Sequence, residues 1–205
     1  MAAFPKHVLE HFKQPKNEEP LPDPQAQGEV EGRRADSRLT LYLRVLEGTI
    51  ERATWTVEKD RSCRLGLSLL SCYLPGKTVG EAEALDPEAL AAHYGLHEDQ
   101  RPMFMPPLEA LRAALANLRG EPSPFLEEGP LVCHCLQVRE GRIRRAIRER
   151  ELRSVKEVTY WTRACSGCRS CRGDVELLLE AEGALPPAAP AEQSWWRAWL
   201  RGKEP

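Results

Sequence analysis

Seven cysteines stand in the 205-residue chain, and four of them fall in two tight pairs. Cys133 and Cys135 form Cys-x-Cys, 32 residues intervene, and Cys168 and Cys171 form Cys-x-x-Cys. Each pair presents two thiolates from one loop, so two loops supply a four-sulfur site suited to tetrahedral zinc or an iron–sulfur cluster. The odd count argues against a secreted disulfide framework. Haem attachment is excluded, because Arg172 rather than His follows the second pair. A thioredoxin-type dithiol at Cys168/Cys171 leaves Cys133 and Cys135 without a role and lacks the strand–helix context. Four inert, buried cysteines fit poorly with their neighbours. Arg139, Arg142, Arg144, Arg145, Arg163, Arg169 and Arg172 are expected to crowd the site, and Gly167 permits close backbone approach. Residues 131–172 carry 11 basic and 4 acidic side chains. A four-thiolate 2Fe–2S centre holds about two negative charges oxidised and about three reduced, which cations and helix N-termini stabilise. A zinc tetrathiolate is anionic as well, so charge does not separate the two metals.

The elements that must position these thiols are short. Ile143/Ile147, the capping box Ser154-x-x-Glu157 and Val175/Leu178/Leu179 predict helices at about 139–150, 154–162 and 171–182. No convincing strand follows the first few positions of this segment. Upstream, FPKHVLEHFK (4–13) reads as a helix ending before Pro15, and the proline-rich stretch 14–29 as a loop that wraps rather than packs. Residues 38–46 and 49–57 alternate around Glu47-Gly48, the signal of a hairpin, with Leu39, Leu41, Leu43 and Val45 on one face. Leu65, Leu69 and Cys72 fall on one side of a helix at about 62–74. Thr78-x-x-Glu81 is a capping box, and Asp86-Pro87 places an N-cap before a first-turn proline. Leu108, Leu111, Leu115 and Leu118 line a last helix closed by Gly120. The expected class is α+β: a small antiparallel sheet plus helices, followed by a small all-α unit. The expected division is 1–120, a linker 121–130, a cysteine-bearing domain 131–183, and a tail 184–205.

Composition removes other classes. Apolar residues make up 41% and charged residues 29% of the chain, as in globular rather than disordered proteins. No apolar run approaches the ~20 residues of a membrane span. The N-terminus carries His, Lys and Glu where a secretory signal is apolar, which points to the cytoplasm. The net charge of −2 splits into −6 for residues 1–130 and +3 for 131–183, with no basic excess of the kind that binds nucleic acid.

The segment VCHCLQVREGRIRRAIRERELRSVKEVTYWTRACSGCRSC resembles the 2Fe–2S domain of NifU and of bacterioferritin-associated ferredoxin, without a gap. The resemblance implies that Cys133, Cys135, Cys168 and Cys171 hold a 2Fe–2S cluster in a compact helical domain. His134 stands where the family tolerates a non-ligand, and Cys165 is an extra thiol where the family commonly has a small residue.

Residues 4–120 resemble, more weakly, the U-type scaffold domain that precedes this module in NifU. His7-Val8-Leu9-Glu10-His11-Phe12 with Pro15 and Asn17 matches its opening, Gly76-Lys77-Thr78 a mid-domain turn, and EALRAALANLRG its last helix. The resemblance implies three cluster-building cysteines, and here their positions fall on Ala35 or Asp36, on Asp60 and on Met103, with Pro102 before it. All three thiolates are missing. Cys63 and Cys72 lie nine residues apart, on opposite sides of a helix, and are expected to be buried. Asp36 and Asp60 read as capping or solvated aspartates; His11 reads as a packing residue, His7 needs no partner, and neither histidine is expected to be a ligand.

No cysteine follows Cys171 in this sequence, so a counterpart of NifU's third Cys-x-x-Cys module is not expected within it. A Pro/Ala stretch leads instead to Trp195, Trp196, Trp199 and Leu200, an aromatic helix face that docks on the protein itself or on a partner. The expectation is a non-enzymatic 2Fe–2S protein acting in cluster assembly and transfer or as a one-electron carrier. Its partners would be iron–sulfur assembly proteins or a redox protein, with no nucleic acid and no membrane. The alternative is a structural zinc module in a protein–protein adaptor.

Overall fold

The computed structural model describes residues 3–32, 36–59, 63–125 and 129–184. Three strands, β1 (Ala26–Glu31), β2 (Arg38–Leu46) and β3 (Thr49–Glu58), form an antiparallel sheet in that order. The β2–β3 turn has positive φ at Glu47 (50°) and Gly48 (75°), the two-residue geometry that matches strand twist. Leu39, Leu41 and Leu43 are fully buried and Val45 partly so, as the alternation predicts.

β1 was not expected, because AQGEVE carries no bulky alternating residue before Val30. Its small residues have a packing reason. Helix α5 (Met105–Leu118) lies directly on β1, and a Cβ at Gly28 would stand 2.1 Å from the Ala110 carbonyl oxygen and 2.3 Å from the Ala114 nitrogen. The residue that looked like a loop signal is what lets a helix touch a strand. The preceding stretch is likewise pinned: the Lys16 carbonyl accepts from Trp55 Nε1 at 2.9 Å, the Asn17 carbonyl from the Trp55 backbone N–H at 3.0 Å, and Leu21 is buried.

Around the sheet stand α1 (Lys6–Lys13), α2 (Arg64–Tyr73), α3 (Val79–Glu83) and α4 (Pro87–His93). A 3₁₀ segment, Glu98–Phe104, runs into α5. The two caps predicted in this unit form: Thr78 and Glu81 make the reciprocal capping box, and Asp86 accepts from the Ala89 N–H at 2.7 Å. His11 is buried, with Nδ1 2.8 Å from Ser68 Oγ, and burial holds its pKa below the usual value, so it is a packing residue. The buried face of α2 differs from the one its spacing predicts. Leu65 and Leu69 are buried, but Cys72 is exposed, because a helix wedged between α1, β3 and the 3₁₀ segment buries Leu67, Ser68, Leu70 and Ser71 instead.

The second cluster of buried side chains runs from Cys133 to Leu179 and is separate from the first, which spans Val8 to Phe125. It is built by α6 (Glu140–Arg150), α7 (Val155–Thr162) and α8 (Arg172–Ala181), plus a short ribbon of β4 (Leu131–Cys133) and β5 (Val138–Arg139). The ribbon adds a small β feature to the helical unit expected from sequence. Of the 121–130 stretch, Phe125 is buried in the first core, with the Arg145 guanidinium 4.5 Å from its ring centre. The Trp-rich tail lies outside the described residues.

Charged groups join the two units. Glu109, on α5 and 4% exposed, accepts from Arg142 Nη2 at 2.9 Å and from Arg145 Nη2 at 3.3 Å. Arg142 also donates to the carbonyls of Glu31 and Gly32 at the end of β1, and Arg139 pairs with Glu31 at 2.8 Å. Arg150 pairs with Glu88 at 2.9 Å and lies 3.6 Å over the Trp161 ring. The Tyr160 hydroxyl donates to the Glu98 carbonyl. A small cavity of about 20 Å³ between the units is walled by Pro102 and Met105 on one side and by Trp161 and Arg163 on the other. Arginines expected to surround the thiols are thus partly spent elsewhere: Arg139, Arg142 and Arg145 face the first unit, and Arg144 pairs with Glu140 and Glu182.

Candidate metal centre

The four paired cysteines come from three pieces of local structure. Cys133 ends β4, Cys135 lies in the tight turn closed by Gln137 at φ 56°, and Gln137 Nε2 donates to the His134 carbonyl at 2.8 Å. Cys168 and Cys171 sit in the 163–171 loop, where Arg163, Cys165 and Arg169 have φ of 67°, 65° and 62°. From this loop the Cys168 backbone N–H reaches the Cys135 sulfur, the Ser170 N–H the Cys168 sulfur and the Cys165 N–H the Cys171 sulfur, donors that suit anionic sulfur. Cys171 is the N-cap of α8, so the positive end of a ten-residue helix begins at one thiol.

The sulfurs converge. Cys133 Sγ is 3.8 Å from Cys135 Sγ, and Cys168 Sγ is 3.4 Å from Cys135 Sγ. Two thiolates on one tetrahedral metal at ~2.3 Å lie ~3.8 Å apart, so the Cys133/Cys135 spacing fits a shared metal. A Cβ at Gly167 would stand 3.0 Å from Cys135 Sγ, so glycine leaves the room this sulfur occupies. Among the described residues no three or more His, Cys, Asp or Glu side chains close round a single ion.

Burial divides them. Cys133 and Cys171 are 1% and 3% exposed, whereas Cys135 and Cys168 are exposed. The Cys168 thiol is lowered to about 7, first by the hydrogen bond from the Ser170 hydroxyl, then by the Ser170 backbone N–H and the Cys135 thiol. Burial raises Cys171 and Cys165. His134 is exposed.

Cys165, the extra thiol, lies beside the paired cysteines as the sequence leads one to expect, its Sγ 3.3 Å from Cys171 Sγ in a buried position. Two further features go beyond that expectation. Ser170 serves Cys168 directly. Glu109 receives two arginines, and its signal was available: an acidic residue inside the leucine stripe of a buried helix. Of the positions that the resemblance to a U-type scaffold leads one to expect as thiolates, Met103 is buried in the first core and Asp36 is exposed; Ala35 and Asp60 lie outside the described residues. Cys63 is buried.

Residues 131–181 match the family described as BFD-like [2Fe-2S] binding domain. This is a protein with a 2Fe–2S-binding domain behind an α+β unit, and its cofactor is a 2Fe–2S cluster. Over most of its length it is similar to nitrogen fixation protein NifU: 32% identical over 204 residues to that of Azospirillum brasilense, covering 92% of this chain and 66% of the relative. It is 30% identical over 186 residues to that of Trichormus azollae, covering 84% and 62%. The chain is NifU-like, and it spans just under two thirds of the length of these relatives. Distant structural likenesses include the iron–sulfur cluster assembly scaffold protein for the SUF system of Fervidobacterium islandicum (15% identity, TM-score 0.42, covering 55% of this chain and 96% of that one). The N-terminal part of a NifU-like protein of Brucella abortus is another (16% identity, TM-score 0.36, covering 84% and 94%). Among the described residues no helix is long and apolar enough to cross a membrane.

Proposed function

We propose that Cys133, Cys135, Cys168 and Cys171 ligate the 2Fe–2S cluster, and that the protein is a non-enzymatic one-electron carrier serving iron–sulfur assembly or a redox partner. The cluster supplies reversible one-electron chemistry. The observation that carries this reading is a chain of contacting thiols, Cys168 to Cys135 to Cys133 and Cys133 by hydrogen bond to Cys171, two exposed and two buried. Cys133 and Cys171 anchor the group within a packed core, which favours keeping the cluster over handing it on. Cys135 and Cys168 leave an edge open to a partner. Ser170 and the Cys168 backbone N–H hold those two sulfurs in place. The first unit has lost the cluster-building thiolates of the scaffold it resembles and acts as a body for docking assembly or redox partners.

Iron and acid-labile sulfide in anaerobically purified protein should come to about two of each per chain, with reversible bleaching of the visible bands by dithionite. Repeated reduction and reoxidation should leave the iron in place. Full zinc occupancy without sulfide would return the site to the structural-zinc reading, and quantitative passage of the cluster to an apo-acceptor would make the protein a donor of clusters. A second expectation concerns Gly167. In Gly167→Ala the new methyl crowds Cys135 Sγ, so the cluster should load but bleach several-fold faster in air than in the parent protein. Equal lifetimes would mean the loop has room to spare.

A further inference from the structure

Cys165 is not one of the four proposed ligands, yet its sulfur is 3.3 Å from that of Cys171, within hydrogen-bonding reach for sulfur. It is 6% exposed and held in a left-handed backbone conformation, φ 65°, which a non-glycine residue adopts at a cost. The turn that imposes this is fixed from outside the thiol: the Arg163 carbonyl accepts from both the backbone N–H and the hydroxyl of Ser166, at 3.1 and 2.9 Å. The Ala164 N–H in turn donates to Thr162 Oγ1 at 3.2 Å. The sulfur of Cys165 is therefore aimed at Cys171 by its loop.

Between two free thiols either sulfur can donate. Once Cys171 binds iron it carries no proton, and only Cys165 can be the donor. Resting on the ligand assignment above, we infer that Cys165 donates an S–H···S hydrogen bond to the metal-bound Cys171 sulfur and thereby raises the reduction potential of the cluster. The direction follows from charge. Reduction adds one electron and no proton, the extra negative charge spreads over the ligand sulfurs, and a donor aimed at one of them favours the reduced form. Cys165 is thus a positioning and tuning residue that touches a ligand rather than the metal.

The test compares Cys165→Ala and Cys165→Ser with the parent in the full-length, cluster-loaded protein. Iron and sulfide per chain should be unchanged in both. In a dithionite titration against mediator dyes, Cys165→Ala should shift the equilibrium about threefold toward the oxidised cluster, about 28 mV for a one-electron couple. Cys165→Ser keeps a donor on a slightly shorter arm and should recover part of that shift. In the parent protein, whether or not the variants fold, the S–H stretching band of Cys165 should move in the infrared difference spectrum between oxidised and reduced states. An unchanged potential in Cys165→Ala, equal shifts in Ala and Ser, or an S–H band indifferent to reduction each overturns the hydrogen bond while sparing the ligand set. Loss of iron in Cys165→Ala would instead make Cys165 a ligand and overturn both.

Discussion

Serine in place of Cys133, Cys135, Cys168 or Cys171 should remove the visible spectrum, whereas serine at Cys63 or Cys72 should leave it intact. An alkoxide is a harder and far more basic ligand than a thiolate, so each replacement leaves an iron short of a soft donor at neutral pH. The four replacements should differ in their side effects. Cys133 and Cys171 are built into the second core, so their loss should also lower the thermal stability of that unit. Cys135 and Cys168 are exposed, and their replacement should leave the metal-free protein as stable as before. Far-ultraviolet circular dichroism beside iron analysis separates the two effects. A folded, colourless Cys63→Ser protein would place a ligand in the first unit and break the assignment.

Glu109→Gln should be the most destabilising single change at the junction of the two units. The carboxylate is 4% exposed and neutralises two guanidinium groups whose side chains are 11% and 16% exposed. Removing one member of a buried ion pair typically costs about 3–5 kcal/mol, because the partner charge is left uncompensated. In a chain of this size that corresponds to a melting temperature lower by about 6–20 °C. The cluster spectrum should barely change, since the damage is remote from the thiols. Combining Glu109→Leu with Arg142→Met should cost less than the sum of the two single changes, because the double variant leaves only Arg145 without its carboxylate, where Glu109→Leu alone leaves two guanidinium groups uncompensated. Strict additivity in that cycle would mean that the pair is not coupled and that the units are held by something else.

The meeting of the paired thiols was legible because ligand spacing is a local property: Cys-x-Cys and Cys-x-x-Cys mark a candidate four-sulfur site without knowledge of the fold, while leaving the metal open. The β2–β3 hairpin was legible for the same reason, through Glu47-Gly48 and the alternating leucines. β1 was not, since Ala26 and Gly28 are selected by contact with a helix some eighty residues away, and such partners leave no period in the strand itself. The 3₁₀ segment at Glu98–Phe104 is short and contains Pro102, so it had no helical signature to find. Cys72 was assigned to the wrong face because α2 is buried on more than one side, where a single stripe no longer marks the interior. The arginines of α6 suggest company for the cluster by charge alone. Charge gives no direction, and the acidic residue that claims Arg142 and Arg145 lies 33 and 36 residues upstream.

The missing side chain at Gly28 sets a datum for the whole molecule. Because β1 and α5 meet backbone to backbone at Gly28 and Ala110, their separation is fixed by peptide atoms and does not depend on how well the surrounding leucines interlock. Glu109 is the residue next to Ala110 and inherits that position, and Arg142 reaches both Glu109 and the carbonyls that end β1. The metal-bearing unit is therefore indexed to a rigid mechanical reference. Substitutions that loosen the interior of the first unit can lower its melting point while leaving the aim of the open thiol edge, and hence the alignment presented to a docked protein, where it was.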